Sequence, residues 1–395
     1  MRHRAAVTDA AVCDFPTALH WQRFALPCEY PIAFTRDLFH PGNPLFAGLL
    51  ALREDDRHRC LVFLDEGLAR AAPTLRPDIA GYARAWAGTL ELAAPPVAVP
   101  GGAAAGRDPA RQAAIRDAIL ASHLGPCGFV VAVGGGAVLD AVSVAAATTG
   151  RGLRCLRVPS SVFAQCETAL GLRPCVGPVA DLGTLGTVAA PWGVVCDLAL
   201  LDALPARQRR AGLAAAVRLA LTRDAGFFRW IEARADALAA FDPETEAEAI
   251  RRASALARDR VVEQADPFAH AAARALNLGR WSAGPLMALA GPDLVEGEAL
   301  AIGIALDTRL SVLTGRLAPG EDARVTALLA RLGLPRCHRA LDTRGPDGRR
   351  VLAAALDDRA PVTQLDAIGA ATDAPPPDPS LAEQAIDWLA AGHGC

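Results

Sequence analysis

Short apolar runs alternate with amphipathic segments through the first half of the chain. Runs such as "CLVFLD" (60–65) and "FVVAV" (129–133) suit buried strands, and segments with helical spacing of apolar residues follow them. Strands that alternate with helices indicate a mainly parallel sheet with helices on both faces. The pattern therefore predicts a Rossmann-like α/β domain over residues 31–200, after an irregular segment at 1–30.

From about residue 201 the pattern becomes helical. Asp242 is a predicted N-cap with Pro243 at the first helical position, and an apolar stripe at helical spacing follows. Later segments at 297–315 and 321–332 show similar helical patterns. We expect an all-α domain over residues 201–340.

A divergent tail covers residues 341–395. The proline linker "APPPDP" (374–379) precedes a terminal helix, and Ser380 with Glu383 form a predicted capping box at its start. That helix docks either on the core of its own chain, which we favour, or on a partner.

Composition and charge exclude several classes of protein. The net charge is -3 with both signs interspersed, which argues against nucleic-acid and anionic-membrane surfaces. No apolar run approaches the ~18 residues of a membrane span, and the N-terminus lacks a signal-peptide pattern, so we expect a cytoplasmic protein. The ten cysteines contain no C-x-x-C pair and are expected to act mainly as small buried apolar residues. All forty basic residues are arginine, which removes lysine chemistry.

Three consecutive glycines, Gly134, Gly135 and Gly136, follow the apolar run at 129–133 and precede an Ala/Val-rich helical stretch. Such a turn lets backbone N–H groups approach an anion, and the helix start adds its dipole. The spacing is not G-x-G-x-x-G, so the Rossmann fingerprint is not matched. A phosphate site and a plain tight turn are both compatible with this motif.

Four stretches together resemble the sugar phosphate cyclases, namely the 3-dehydroquinate synthases and their valiolone-synthase-type relatives. They are "GGGAVLDAVSVAAATTGRG", "VPSSVFAQ", "LPARQRRAGLAAAVRLALTRDAGFFRWIE" and "EGEALAIGIALDTRLSVLTG", and the resemblance spans roughly residues 30–340. It implies an NAD-binding α/β domain, a helical metal-binding domain and an active site in the cleft between them. Members are typically homodimers that use NAD and a divalent metal, Zn or Co, for transient oxidation, phosphate elimination, reduction and ring closure.

The resemblance carries several cofactor positions onto this chain. Those implied to bind NAD are the loop residues Gly134, Gly135, Gly136 and Asp140, the hydroxyl pair Ser160 and Ser161, and the ribose-binding acid Asp65. The family's G-G-E-x-x-K motif reads "GGAAAG" (101–106), so that Ala103 and Gly106 replace an acid and a lysine.

The substrate positions of the family depart further. An acid persists at Glu167, Arg173 stands at a lysine position, and Leu182 with Gly183 replace a lysine–asparagine pair. Arg218 replaces another lysine.

None of the three metal-ligand positions keeps its family residue type: Ala215 stands for a glutamate, and Arg280 and Glu296 for histidines. Carboxylates could serve a hard cation instead, and the candidates are Glu296, Glu298, Glu263 and Asp266. The alternative, which we favour, is that Glu296 and Glu298 only begin a helix, where negative charge is favourable. Arg280 is then expected to pair with Glu296 as an internal salt bridge.

We interpret the chain as a cyclase-like pseudoenzyme that has lost the metal ligands and substrate lysines, with no metal bound and NAD binding left open. One alternative is an enzyme with metal-independent chemistry that uses Arg173, Arg218 and Arg280 to hold a small anionic or phosphorylated substrate. Another is a structural partner of an active homologue. The expected assembly is a homodimer or a heteromer with a homologue.

Overall fold

The computed structural model describes residues 28–102, 108–150, 152–177, 185–263, 277–356 and 361–393. Its strands are β1 (Ile32–Thr35), β2 (His58–Asp65), β3 (Leu90–Leu92), β4 (Val97–Val99), β5 (Phe129–Gly134), β6 (Arg154–Pro159), β7 (Cys175–Val176), β8 (Leu185–Gly186), β9 (Gly193–Asp197), β10 (Val362–Ala367) and β11 (Ala370–Ala374). Its helices are α1 (Leu45–Leu50), α2 (Glu66–Ala71), α3 (Leu75–Ala85), α4 (Pro109–Ala121), α5 (Gly136–Thr148), α6 (Val162–Cys166), α7 (Ala206–Arg223), α8 (Ala225–Ala233), α9 (Ala235–Ala239), α10 (Pro243–Glu263), α11 (Arg280–Ala290), α12 (Glu296–Leu313), α13 (Glu321–Arg331), α14 (Val351–Ala354) and α15 (Pro379–His393). Short 3-10 helices lie at Thr168–Leu170, Leu198–Ala203, Gly291–Asp293 and Arg339–Asp342.

Seven of these strands form a parallel sheet. The order is β1-β9-β6-β5-β2-β3, and β4 also pairs with β2. The register places Val133 of β5 opposite Leu64 of β2, and Gly134 opposite Pro159 of β6. The carboxyl ends of β2, β5 and β6 therefore lie side by side at one edge, which is where ligands bind in open parallel sheets. The predicted α/β architecture of the first half is confirmed.

Side chains of the central strands alternate between two hydrophobic clusters. Along β2, Leu61 and Phe63 belong to one cluster, while Val62 and Leu64 belong to the other. The second cluster is covered by α1 and α3, and the first by α4, α5 and the helical half of the chain. Since successive residues of a strand point to opposite faces, helices must cover both sides of the sheet.

The helical half is built around α7 and α12, which cross closely. A Cβ atom on Gly297 of α12 would lie only 2.1 Å from the carbonyl oxygen of Ala211 on α7, so the crossing requires glycine there. The predicted start of α10 is confirmed, because the Asp242 carboxylate accepts from the N–H of Thr245 at 2.9 Å. None of the described helices combines the length and apolar character needed to cross a membrane.

The tail contains a hairpin that the sequence pattern did not predict. Strands β10 and β11 pair antiparallel, and several hydrogen bonds join the hairpin to the helical half, including two from backbone N–H groups of the hairpin. The N–H of Leu365 donates to Ser311 Oγ at 3.0 Å, and the N–H of Gly369 donates to the Leu221 carbonyl at 2.8 Å. The stretch is short and polar at its ends, so its extended structure depends on these contacts with α12 and α7.

The predicted capping box of the terminal helix is wrong. Helix α15 begins at Pro379, and Asp378 accepts from the N–H of Ser380 at 2.8 Å. Glu383 instead receives a hydrogen bond from the guanidinium of Arg350 at 2.6 Å. An ion pair with a nearly buried arginine outweighs a local cap. The helix docks on its own chain and buries Ala382, Ala385, Ile386 and Leu389.

Candidate functional site

The turn between β5 and α5 is packed at its first and third glycines and open at its second. A Cβ on Gly134 would lie 2.9 Å from Val138 Cβ, and one on Gly136 would lie 3.0 Å from Thr168 Cγ2. A Cβ on Gly135 would meet no described atom within 4 Å. Gly135 is also the N-cap of α5, and the first N–H groups of a helix have no partner within the helix. The turn therefore offers both space and hydrogen-bond donors to an anion.

Asp65 lies at the end of β2, next to this turn. Its Oδ1 accepts from the N–H groups of Gly67 and Leu68, at 2.7 and 3.1 Å, and so caps α2. The other oxygen, Oδ2, faces Gly101, where an added Cβ would lie 2.3 Å away. One oxygen of the predicted ribose-binding acid is thus engaged in capping, and the backbone at Gly101 closely approaches the other.

Ser160 and Ser161 follow β6 on the other side of the turn. Ser160 is buried, and its N–H donates to the Gly134 carbonyl at 2.9 Å. Ser161 caps α6 by accepting from the N–H of Ala164 at 3.3 Å. A hydroxyl that accepts one hydrogen bond still has a hydrogen to donate. The acid, the glycine turn and the hydroxyls thus occupy three adjacent strand ends, an arrangement that fits a dinucleotide.

Asp140 lies on α5, beyond the glycine turn. Burial raises the pKa of its carboxyl to about 7, although the guanidinium of Arg157 and a hydrogen bond from the N–H of Cys175 both favour the ionised form. Arg280 acts in the same direction as Arg157, and Glu296 opposes it. The pKa of Asp140 therefore depends both on Arg157 in the sheet and on Arg280 and Glu296 in the helical half.

Arg157 on β6 is almost fully buried, with 1% of its surface exposed. Its guanidinium donates to the carbonyls of Ala169, Gly171 and Ala189, at 3.0, 2.6 and 3.3 Å, and to Ser143 Oγ at 2.9 Å. These bonds fasten the segment after α6 against α5. That segment includes Thr168, which packs on the third glycine of the turn, so Arg157 shapes the turn from inside the protein.

Glu167, at the end of α6, joins the sheet half to the helical half. Its carboxylate accepts a hydrogen bond from the guanidinium of Arg218 on α7, which is 1% exposed. Its other oxygen, Oε1, lies 3.8 Å from Nη2 of Arg280 on α11. Arg280 Nη1 in turn lies 3.7 Å from Glu296 Oε1 on α12. We call Arg218, Glu167, Arg280 and Glu296 the ion chain.

The predicted pair of Arg280 and Glu296 thus forms, but it is not internal. Their side chains are 38% and 57% exposed, and at 3.7 Å the contact is an ion pair rather than a hydrogen bond. The sequence singled out Glu167 as a retained acid but did not predict its contact with Arg280; its side chain is only 11% exposed. The ion chain therefore begins buried at Arg218 and ends in solvent at Glu296.

Asp307 on α12 fixes the position of Arg280. Its two oxygens accept from the N–H of Gly279, at 2.5 Å, and from the indole N–H of Trp281. Asp307 is 2% exposed, and burial raises its pKa to about 7 against the effect of both hydrogen bonds. Because its two donors come from the residues on either side of Arg280, Asp307 holds the start of α11.

The described residues at the positions that the resemblance aligns with metal ligands do not fit a divalent cation. Ala215 is buried on α7 and offers only a methyl group, and Arg280 brings a permanent positive charge. Glu298 is engaged elsewhere, because its carboxylate receives two hydrogen bonds of 2.6 Å from Arg207 and one of 3.1 Å from the Val295 N–H. Glu296 and Glu298 both lie in the first turn of α12. Among the described residues, no group of three or more His, Cys, Asp or Glu side chains could hold a metal ion.

Other predicted residues are not brought into the ion chain or cannot be placed. Arg173 is exposed in the segment before β7, and no described contact joins it to Arg218 or Arg280. The remaining predicted positions lie outside the described residues: Ala103, Gly106, Leu182, Gly183, Asp266 and the side chain of Glu263.

Sequence reasoning missed Arg157 and Asp307 as organisers of the site. Each is a charged residue inside an apolar run, "CLRVP" for Arg157 and "GIALDTRL" for Asp307. A charge within a buried run is rarely tolerated without partners, so this signal could have marked both residues. Most of their partners are backbone groups, which carry no side-chain signal in the sequence.

Family models match two consecutive parts of the chain. Residues 98–211 match the N-terminal domain of 3-dehydroquinate synthase, and residues 212–358 match its C-terminal domain. Together the two matches cover well over half of the chain.

Solved structures of similar fold include two kinds of cyclase. A 2-epi-5-epi-valiolone synthase from Streptomyces hygroscopicus subsp. jinggangensis 5008, with NAD+ and Zn2+ bound, is 24% identical with a TM-score of 0.79, over 94% of this chain and 99% of that chain. A 2-deoxy-scyllo-inosose synthase, complexed with carbaglucose-6-phosphate, NAD+ and Co2+, is 18% identical with a TM-score of 0.72, over 90% and 95% of the two chains. A probable glycerol dehydrogenase from Sinorhizobium meliloti 1021 is 15% identical with a TM-score of 0.62, over 93% and 99%. These identities indicate a shared fold.

Proposed function

Because this chain belongs to the 3-dehydroquinate synthase family, we propose that it is a sugar phosphate cyclase homologue that keeps a dinucleotide site and has lost the metal-dependent reaction. In this proposal the protein is a pseudoenzyme that binds NAD. The observation that carries it is Arg280, whose guanidinium stands at a metal-ligand position and contacts the carboxylates of Glu167 and Glu296. A fixed cation there opposes the binding of a second one.

The dinucleotide half supports the retained part of the proposal. NAD, when bound, supplies a hydride acceptor for oxidation and a donor for reduction. The glycine turn would hold its pyrophosphate, Asp65 a ribose, and the hydroxyls of Ser160 and Ser161 the other half of the molecule. Oδ1 of Asp65 is engaged in capping α2, so a ribose would bind at Oδ2.

The alternative of a metal-independent enzyme that holds an anion with arginines has less support. Arg218 and Arg280 both direct their guanidinium groups at Glu167, which balances positive charge within the protein. An anionic substrate would have to compete with that carboxylate.

Calorimetric titration of the dialysed protein with NAD+ tests whether the protein keeps a dinucleotide site. We expect saturable binding with a Kd in the range of roughly 1–100 μM. Gly135→Asp should abolish it, because the new carboxylate would occupy the open side of the turn and repel phosphate. The added Cβ meets no described atom and φ is −72°, so this variant should fold.

Gly88→Asp is the matched control. It makes the same change of charge at an exposed glycine whose Cβ also would meet no described atom, far from the turn in the sequence. We expect it to bind NAD+ like the wild type. Absence of wild-type binding at millimolar NAD+, or equal affinity of the Gly135→Asp variant, would contradict the dinucleotide site.

Turnover assays test the lost half. Purified protein with NAD+ and added Zn2+ or Co2+ should not convert sedoheptulose 7-phosphate or related ketose phosphates. Metal-stimulated turnover that disappears after chelation would overturn the proposal, whatever the outcome of the titration.

A further inference from the structure

Arg280 contacts acids that come from the two halves of the molecule. Glu167 follows α6 at the edge of the sheet half, and Glu296 begins α12 in the helical half. The guanidinium lies within 4 Å of both, at 3.8 and 3.7 Å, and its Cζ is 6.0 Å from the ring centroid of Phe163. A single cation thus bridges carboxylates of the sheet half and the helical half.

The charges of the ion chain balance one another. Two arginines and two glutamates sum to zero, and the two most buried members, Arg218 and Glu167, are hydrogen-bonded to each other. Adding a divalent ion to this set would place two further positive charges next to the guanidinium of Arg280, and the carboxyl of Asp140, which also interacts with Arg280, offsets one of them at most. Removing that guanidinium would instead leave an excess of negative charge.

The position of Arg280 is fixed by the fold rather than by its side chain alone. The carboxylate of Asp307 accepts from Gly279 and Trp281, on either side of Arg280. Gly279 has a left-handed backbone with φ 76°, and a Cβ there would lie 2.7 Å from the backbone nitrogen of Ile304. The first turn of α11 is therefore pressed onto α12, and it presents Arg280 at one place.

We propose that the guanidinium of Arg280 is a built-in cation that takes the place of the divalent metal ion, bridges Glu167 to Glu296, and excludes a metal from this protein. The proposal rests on the proposed loss of the metal-dependent reaction and is independent of NAD binding. A failed NAD+ titration would therefore contradict only the dinucleotide site, and a failed metal titration would contradict only the role of Arg280.

Titration with Co2+ tests the proposal on the full-length protein. A triple variant, Ala215→Glu, Arg280→His and Glu296→His, supplies metal-ligand residue types at the three positions. We expect the wild type to show no saturable Co2+ binding up to about 1 mM, and the triple variant to bind about one Co2+ per chain at least ~100-fold more tightly. The readouts are calorimetry and the visible absorbance of bound Co2+.

The matched control is the double variant Ala215→Glu and Glu296→His, which keeps Arg280. It carries both new ligands and differs from the triple variant only in the built-in cation. We expect it not to bind Co2+. Saturable binding by the wild type, equal binding by the double and triple variants, or no binding by a folded triple variant would each overturn the proposal.

A second experiment avoids the buried Ala215, where glutamate could prevent folding. Arg280→Gln, Glu167→Gln and the double variant form a cycle read by melting temperature. If the guanidinium bridges the acids, the fall in the double variant is clearly smaller than the sum of the two single falls. Additive falls would show that Arg280 does not interact with Glu167 and would overturn the proposal.

Discussion

The glycine turn and the ion chain lie at the same junction, yet they are made of different parts. The turn consists of backbone, that is N–H groups, three glycines and the start of α5, whereas the ion chain consists of charged side chains from α7, α11, α12 and the residue after α6. A backbone site needs only that its glycines and its fold persist. A metal site depends on particular side chains, and substitution at its ligand positions removes it while the helices that carried it remain.

One buried charged residue stabilises each region, an arginine near the turn and an aspartate near the ion chain. Arg157 donates to carbonyls around the turn, and Asp307 accepts from N–H groups around Arg280. Arginine stays charged at any pH that proteins tolerate, whereas burial raises the pKa of Asp307 to about 7. The two braces should therefore respond differently to mutation and to pH, and the following predictions use that difference.

The largest expected effect is at Arg157. Arg157→Leu would leave the carbonyls of Ala169, Gly171 and Ala189 buried without their donor. We expect a loss of roughly 3–5 kcal/mol in the free energy of unfolding, measured by urea denaturation. Arg154→Leu, on the same strand, is the control and should cost less than half as much. Similar losses in the two variants would show that the brace is not specific to the turn.

The next effect is the pH dependence of Asp307. The folded pKa of about 7 exceeds the ordinary value of 3.8 for an aspartate, so the folded state holds this proton more tightly. Its contribution to stability is complete below about pH 4 and is lost as the pH rises through about 7, by at most about 1.4 kcal/mol per unit. Asp307→Asn removes this pH dependence. The free energy of unfolding of the variant should therefore fall further below that of the wild type at pH 5 than at pH 8.

Asp140 allows the same pH test near the glycine turn, because it is a buried acid on α5. Burial also raises its pKa to about 7, and the sign is the same. Asp140→Asn should remove a similar slope, and the two variants together should remove more than either one. Unfolding curves collected from pH 5 to pH 8 measure this. Parallel curves for wild type and both variants would mean that neither carboxyl titrates in this range.

A smaller effect separates the two glutamates that begin α12. Glu298→Gln loses a charged, two-point contact with Arg207 and should lower the free energy of unfolding by about 1 kcal/mol. Glu296→Gln loses only an exposed contact of 3.7 Å and should change it much less. Thermal unfolding of both variants makes the comparison. The reverse order would place the stabilising contact at the solvent end of the ion chain.

The smallest expected effect is that of a chelator. Dialysis against EDTA should shift the melting temperature by less than about 1 °C, because a protein that holds no metal has no binding energy to lose. A clear fall in the melting temperature that is reversed by Zn2+ or Co2+ would mean that the protein binds a metal ion, contrary to the proposal.

The sequence predicted local features well. The strand, turn and helix around the glycines, and the cap at Asp242, follow from residues close together in the chain and are confirmed. The capping box of the terminal helix was wrong because a distant residue, Arg350, binds Glu383. The hairpin β10–β11 was missed for the same reason, since its hydrogen bonds are to α7 and α12.

In the candidate site, the sequence predicted one contact between two residues but not how the four residues of the ion chain are connected. Charge and family position together predicted the contact between Arg280 and Glu296. The connection through Glu167 depends on how closely α6 packs against α7, which no local pattern encodes. The braces at Arg157 and Asp307 act on backbone groups, so they become evident only when the fold is known.

Gly135 leaves a fact that folding does not account for. Its φ of −72° and ψ of 170° are open to any residue, and a Cβ there would meet no described atom within 4 Å. Serine or asparagine would cap α5 better than glycine and would restrict the unfolded chain more. Stability of the fold therefore gives no reason for a glycine at this position, whereas the proposed dinucleotide site gives one, because it needs an empty volume at the start of α5.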